Sequence, residues 1–458
     1  MNPAGSRDQG IPGLAPRAAA WRVLHDLHRG IPLDLALQRT LAGLSETDRG
    51  LAHEIAAGVL RHRSVLDAAL GPHLKDGVAG VRDDLLEILR LGAYQLLFLE
   101  RVPSHAAVDT AVTLGRRIGG ARVGGFLNAV LRRVAEIRAV GPSGARGPGT
   151  NEPGSTERTA RLPDRPADLA AQYSHPEWLV IRWVGRFGPE ETERLLRANN
   201  SRPALTIQPA RWSVAALTAS LDAQGIGWQR APYDAGLVVT GRRPRELPGL
   251  AAGAWYVQDP AQALVLRFAA LPDGQLILDA CAAPGGKAIA LSAHAGFLAA
   301  ADLRPPRARR LRENLRRAGG EHAAVLVADA GAPAVRACDV VVLDVPCLGT
   351  GTFARHPDAR WRVTPDALQT LATQAEQLLR AQAEVVRPGG LLLFSTCSLE
   401  PEENEVQVEA FLTAHRQFRR EPSEGVPAEL LTPAGDLFLL PQRHGTDGAY
   451  AARLRRVS

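Results

Sequence analysis

Beyond Gln258 the chain repeats one rhythm: an apolar run, a turn, then a helical stretch. A parallel sheet with crossover helices accommodates that rhythm, because parallel strands are buried on both faces and need a helix to bring the chain back for the next strand. The runs place strands at 276–280, 297–302, 324–328, 339–344 and 391–395, and a 3.6-residue periodicity places helices at 306–318 and 365–386. Residues 251–458 therefore read as an α/β domain of Rossmann-like type. Chemistry in such sheets collects at the carboxyl ends of the strands.

The remainder is organised differently. Residues 14–138 read as successive amphipathic helices, with Ala19, Val23 and Leu27 on one face and Leu85, Ile88, Leu89 and Leu96 on another, which makes an all-α bundle. A stretch rich in Pro, Gly, Ser and Thr follows, and 139–168 reads as a flexible linker. Between 169 and 250 short helical patterns alternate with strand-like pieces such as Ala204-Leu205-Thr206-Ile207, predicting a small α+β subdomain. The expected fold class is multidomain: an all-α bundle, a small α+β subdomain and a C-terminal α/β domain.

With 45% hydrophobic and 22% charged residues the composition is that of a soluble protein. No apolar stretch approaches the ~18 residues of a membrane span, and Met1-Asn2-Pro3-Ala4 lacks the apolar core of a secretory signal. A cytoplasmic, monomeric protein without a membrane partner is expected. Four cysteines with no CxxC spacing make neither a zinc site nor a disulfide framework, so no metal is expected. A net charge of +6 favours an anionic partner without naming one. Arginine almost wholly replaces lysine, and of the two lysines, Lys75 and Lys287, the second stands in a glycine turn.

That turn, Asp279-Ala280-Cys281-Ala282-Ala283-Pro284-Gly285-Gly286-Lys287, follows the first predicted strand of the α/β domain. Its glycines let a ligand approach backbone N–H groups, so Cys281, Ala282, Ala283, Pro284, Gly285, Gly286 and Lys287 are cofactor-binding candidates. The next strands lead to Asp302, Asp329 and Asp344, and Asp302 lies close to the spacing at which an acid accepts hydrogen bonds from ribose hydroxyls. One such acid reads most simply as a helix cap. Four in succession, counting Asp279, repel a dinucleotide pyrophosphate and suit a sulfonium cation, which predicts S-adenosylmethionine as cofactor.

Two strings, Asp344-Val345-Pro346-Cys347 and Ser395-Thr396-Cys397-Ser398, each sit where a buried apolar run ends. Thiols at strand ends suggest nucleophilic chemistry: a thiolate adding at C6 of a cytosine lets C5 attack a sulfonium methyl, after which the C5 proton must leave to a base beside the ring. Cys347 and Cys397 are the candidates for nucleophile and assisting group, Asp344 for a partner of the ring's polar edge, and Lys287 for orienting Asp344 or lowering a thiol pKa. DNA cytosine methyltransferases use the Pro-Cys cysteine as nucleophile, so chemistry alone leaves the two thiols interchangeable. Cys338, at a strand start, and Cys281 read as structural.

These strings together resemble the RNA cytosine-C5 methyltransferases, and among them the bacterial ribosomal small-subunit methyltransferase B (Sun, or Fmu) group. The likeness runs through the glycine turn and Asp344 to Cys347, then Arg355-His356-Pro357-Asp358 with Trp361. It continues through Ser395-Thr396-Cys397-Ser398 and Glu402-Glu403-Asn404-Glu405 to Asp447-Gly448. The N-terminal helices are similar to the NusB-type RNA-binding domain of that group, with Arg49, Glu54, Val59-Leu60-Arg61 and Pro103-Ser104-His105. Tyr173-Ser174-His175-Pro176 with Trp178, and Ala198-Asn199-Asn200, resemble its middle segment. The resemblance implies methylation of 16S ribosomal RNA, free or in an assembly intermediate, with Cys397 as nucleophile and Cys347 assisting product release. It implies cofactor contacts from Cys281 to Lys287 and from Asp302, Asp329 and Asp344. Val345, Leu348 and Ala288 depart from the residues usual in the group.

On the RNA side, Arg355, His356 and Arg360 are candidates for phosphate contacts, and Arg61, His62, Arg63, Arg116, Arg117, Arg132 and Arg133 for a basic surface on the bundle. Trp361 reads as packing rather than stacking on a base. The alternatives are a 5-methylcytosine methyltransferase for another RNA (tRNA or 23S rRNA), a small-molecule methyltransferase, and a non-catalytic RNA-binding assembly factor; the paired cysteines and the helical domain argue against the second, and Cys347, Cys397, Asp344 and Lys287 against the third.

Overall fold

The computed structural model describes residues 11–139, 165–320 and 322–457. The segment expected to be a linker lies largely outside the described residues. The chain divides into two compact units: residues 1–201 with 356–362, and residues 202–355 with 363–458. Among the described residues no helix is long and apolar enough to cross a membrane.

The first unit is helical. Its elements are α1 (Leu14–His28), α2 (Leu33–Thr40), α3 (Glu46–Arg61), α4 (Arg63–Leu70), α5 (Asp83–Phe98), α6 (Ser104–Gly119) and α7 (Val123–Ala139), then α8 (Pro166–Tyr173), α9 (Glu177–Phe187) and α10 (Pro189–Asn200). Ile55, Leu66, Ile88, Leu89, Leu96, Leu127 and Leu131 build one core, drawn from apolar positions three and four apart. The division at Ser201 groups α8–α10 with these helices.

The segment 356–362 packs within this helical unit and corrects the phosphate-contact reading of its arginine. Arg360 is fully buried, its guanidinium donating to the carbonyls of Ser174 (3.3 Å) and Asn199 (2.9 Å) and to Asn200 Oδ1 (2.6 Å). Burial pulls its pKa down to about 9. Trp361 packs, as expected: its indole N–H donates to the Leu60 carbonyl at 2.8 Å, and the Arg63 guanidinium lies 5.2 Å from the ring centroid. Arg61 and His62 are buried too, so of the expected basic surface on the bundle Arg116, Arg117, Arg132 and Arg133 are exposed.

The second unit begins with a small antiparallel sheet, β1 (Leu205–Pro209), α11 (Val214–Ala223), β2 (Trp228–Arg230), β3 (Leu237–Val239) and β4 (Trp255–Val257), in the order β2-β3-β1-β4. The larger sheet then follows: α12 (Pro260–Ala269), β5 (Gln275–Asp279), α13 (Gly286–Ser292), β6 (Ala295–Asp302), α14 (Pro305–Ala318), β7 (Ala323–Val327), β8 (Cys338–Asp344), α15 (Pro365–Glu384), β9 (Val386–Thr396), α16 (Glu405–Ala414), β10 (Phe418–Arg420), β11 (Leu437–Leu439), α17 (Pro441–His444) and β12 (Ala449–Arg456). Its order is β10-β12-β9-β8-β5-β6-β7, with β11 also paired to β12. Strands β5 to β9 are parallel, as the rhythm requires, but β12 lies antiparallel to β9, so the sheet is mixed. The two-residue period sends Ile277, Val340, Val342 and Leu391 to one face with Leu264, Phe268 and Leu311, and Leu278, Val341, Leu343 and Leu392 to the other with Leu379, Val408 and Phe411.

Candidate active site

Three of the expected acids are the last residues of their strands, Asp344 of β8, Asp279 of β5 and Asp302 of β6, and Asp329 lies two residues past β7. Because β8, β5, β6 and β7 are neighbours in that order, the four acids fall at one edge of the sheet. Their environments differ. Asp279 is 1% exposed, and neither carboxylate oxygen has a hydrogen-bond partner of ordinary geometry among the described residues. Burial pushes its pKa up to about 7 against the pull of Lys287. Asp302 accepts the Arg304 backbone N–H at 3.1 Å through one oxygen and pairs with Arg307 at 3.2 Å through the other. Asp329 is exposed and caps its own turn, accepting the Gly331 N–H at 2.8 Å.

The glycine turn links β5 to α13. Gly285 adopts φ +115°, a conformation that an L side chain resists, so a glycine is required where the turn enters the helix. Two residues on, the buried Lys287 ammonium donates to Asp344 Oδ2 at 2.7 Å and to Gln262 Oε1 of α12. Asp344 Oδ1 accepts from the Ser395 hydroxyl at 2.9 Å. Both oxygens of Asp344 are thereby fixed by groups from separate elements. Gln262 carries no signal in the sequence, where it reads as one polar residue on an amphipathic helix.

Parallel register brings the two cysteine strings together: Asp344 of β8 lies beside Ser395 of β9, and the turns beyond place Cys347 Sγ 3.4 Å from Cys397 Sγ. Both cysteines are partly exposed. The hydrogen bond to Cys397, then burial, raise the Cys347 thiol well above the ordinary cysteine value. Burial pushes Cys281 up to about 12 and Cys338 up to about 11, which suits structural thiols.

A web of side-chain bonds holds these turns. Thr350 Oγ1 accepts the Leu399 N–H at 2.8 Å and lies 3.3 Å from Ser398 Oγ. Thr396 Oγ1 donates to Asn404 Oδ1 at 2.5 Å, while Asn404 Nδ2 donates to the Ser398 carbonyl at 2.9 Å. The buried Glu403 accepts the Leu348 N–H at 2.9 Å, and burial pushes its carboxyl up to about 7. A Cβ on Gly351 would sit 2.7 Å from Gly448 Cα and 2.8 Å from the Cys397 carbonyl, so the three segments approach at backbone distance. Arg355, read from sequence as a phosphate contact, pairs with Asp259 and, at 2.8 Å, with Asp447. It ties the Cys347 loop to α12 and to the segment before β12.

Comparison with known proteins agrees with this architecture. A family model for the 16S rRNA methyltransferase RsmB/F matches residues 267–455, a NusB family model matches 15–136, and a ferredoxin-like domain model of RsmF/B-like methyltransferases matches 175–244. The chain is 33% identical to the probable ribosomal RNA small subunit methyltransferase B of Synechocystis, over 97% of this chain and 100% of that protein. It is 34% identical to the ribosomal RNA small subunit methyltransferase B of Pseudomonas putida, over 97% and 99%. The crystal structure of PH0851 shows the same fold, with a TM-score of 0.78 at 24% identity over 98% of this chain and 99% of that one. With a NusB-like helical domain, a ferredoxin-like domain and a methyltransferase sheet matched along nearly its whole length, the chain belongs to the RsmB/F family of ribosomal RNA small-subunit methyltransferases.

Proposed function

We propose that the protein methylates C5 of a cytosine in 16S ribosomal RNA, using S-adenosylmethionine and a transient bond between Cys397 and C6 of the ring. The thiol pair carries this reading. The two sulfurs lie 3.4 Å apart, so both can reach one ring, and the family likeness of Ser395-Thr396-Cys397-Ser398 gives Cys397 the attack and Cys347 the assisting place beside it. Attack forms the S–C6 bond and moves an electron pair to C5, while Asp344, held by Lys287 and Ser395, accepts a hydrogen bond from the ring's amino edge. When bound, S-adenosylmethionine supplies an electrophilic methyl group on a positively charged sulfur. After transfer the C5 proton passes to a base, the C5–C6 double bond re-forms and the S–C6 bond breaks. The Cys347 thiol then hydrogen-bonds the departing Cys397 thiolate and assists release.

The residues of the turn fit the cofactor. Cys281 to Lys287, Asp302, Asp329 and Asp344 would hold it, and the carboxylate of Asp279 under the turn, which has no hydrogen bond of ordinary geometry among the described residues, would offer acceptor capacity to a ligand's N–H or O–H groups. Because the target base must leave its stack to reach half-buried sulfurs, free RNA or an assembly intermediate is the favoured substrate. The test is nucleoside analysis of 16S RNA methylated in vitro with labelled cofactor. Label is expected in 5-methylcytidine, and Cys397→Ala is expected to lose activity by roughly three orders of magnitude or more. Label in another nucleoside, or normal turnover by the variant, refutes the assignment.

A further inference from the structure

α14 carries six arginines and one glutamate in its fourteen residues. Ala308, Leu311, Leu315 and Ala318 form its buried face, while Arg309, Arg312 and Arg316 recur at the same three- and four-residue spacing on the exposed side and make one stripe about 10 Å long. Several other arginines on helix surfaces pair with an acid one turn back: Arg49 with Glu46, Arg194 with Glu191, Arg197 with Glu193 and Arg380 with Glu376. Among the described residues, Arg309, Arg310, Arg312 and Arg316 form no ion pair, although Glu313 lies within one turn of each. Like charges three and four residues apart repel, and Glu313 is the one acid on α14 against its six arginines.

The helix is also fastened to the cofactor turn. Arg307 donates to the Ala283 carbonyl at 2.7 Å and Asn314 to the Pro284 carbonyl at 2.8 Å. At the other end, the exposed Arg211 donates to the Arg316 and Arg317 carbonyls at 3.1 and 3.0 Å, adding a further cation there. We propose that the outer face of α14 binds the phosphate backbone of the RNA substrate. Guanidinium groups match phosphate oxygens in pairs, and a stripe fastened to the cofactor turn fixes the strand in register with the reacting centre. The inference rests on the RNA reading above and adds a surface in the methyltransferase unit to the one expected on the N-terminal bundle.

The test compares R309Q/R312Q/R316Q with R336Q/R416Q/R419Q, which removes equal charge at exposed positions away from α14. The full-length proteins are titrated with 16S RNA over a range of salt, and S-adenosylhomocysteine binding reports that each variant is folded. The α14 variant is expected to lose roughly tenfold in RNA affinity at low salt, with the log–log salt slope reduced by roughly two to three. The control variant is expected to keep the wild-type slope, and both to bind S-adenosylhomocysteine normally. An unchanged slope in the α14 variant assigns the stripe to solvent or to an acidic protein and overturns the proposal, as does an equal loss in the control. If the wild-type protein fails to bind RNA, the functional reading falls with it.

Discussion

The turn after β5 and the turns after β8 and β9 lie at one edge of the same sheet, yet they are held in opposite ways. Around Cys347 and Cys397, hydroxyls, an amide and a carboxylate cross-brace the backbone: Thr350 to Leu399, Asn404 to Thr396 and Ser398, Glu403 to Leu348. Beneath the glycine turn, by contrast, the buried carboxylate of Asp279 has no hydrogen bond of ordinary geometry among the described residues. A braced turn fixes reacting atoms before any ligand arrives. An unsatisfied acceptor costs stability until something donates to it. The contrast therefore separates residues whose loss unfolds the site from residues whose loss weakens a ligand.

The sharpest way to break this contrast is at the thiols. Cys347→Ala is expected to leave Cys397 able to attack but slow to leave, so that a covalent protein–RNA adduct accumulates on denaturing gels, while turnover falls by roughly two orders of magnitude or more. Cys397→Ala, with no sulfur to bond the ring, is expected to give no adduct. An adduct in the Cys397 variant and none in the Cys347 variant would exchange their roles.

Asp279 offers the next test. Its pKa lies near 7 in the folded chain against 3.8 for an ordinary aspartate. The folded state holds the proton more tightly, so the stabilising contribution is complete below about pH 4 and is lost as pH rises through about 7. Asp279→Asn removes that dependence. The ligand-free variant is expected to be at least as stable as the wild type above pH 7, by thermal melting, and yet to bind S-adenosylhomocysteine several-fold more weakly. A variant that loses stability at pH 8 and keeps its affinity would show that the carboxylate is braced after all.

Much of this was legible in the sequence, and the exceptions have physical causes. The parallel strands announce themselves because burial on both faces demands apolar runs such as Val340-Val341-Val342-Leu343. β12 does not: Ala449-Tyr450-Ala451-Ala452-Arg453-Leu454-Arg455-Arg456 mixes small and charged residues, and its Arg453 is buried against Glu421. The three-residue strands β10 and β11 are too short for any periodicity to show. Arg355 and Arg360 read as phosphate contacts because arginine is rarely buried unless paired. Their partners, Asp259 and Asp447 for one, Asn199, Asn200 and Ser174 for the other, are far away in sequence and are supplied only by the fold. The thiol strings were legible as strand ends; the contact between their sulfurs depends on the register of β8 against β9.

The smallest effects should come from single braces. Asn404→Ala removes the acceptor for the Thr396 O–H and the donor to the Ser398 carbonyl in a buried setting and is expected to cost about 3 kcal/mol of unfolding free energy. Thr350→Val keeps the shape of the side chain and strands chiefly the Leu399 N–H, so about 1–2 kcal/mol is expected. In both variants S-adenosylhomocysteine affinity should stay near wild type while melting temperature falls, the reverse of Asp279→Asn. Since Thr350 lies three residues from Cys347 and its partner Leu399 two residues from Cys397, Thr350→Val should also loosen the thiol pair. Methyl transfer would then fall before the fold does. If Thr350→Val melted earlier but turned over normally below its melting temperature, the brace would serve stability alone, and the sulfurs would owe their spacing to the strand register.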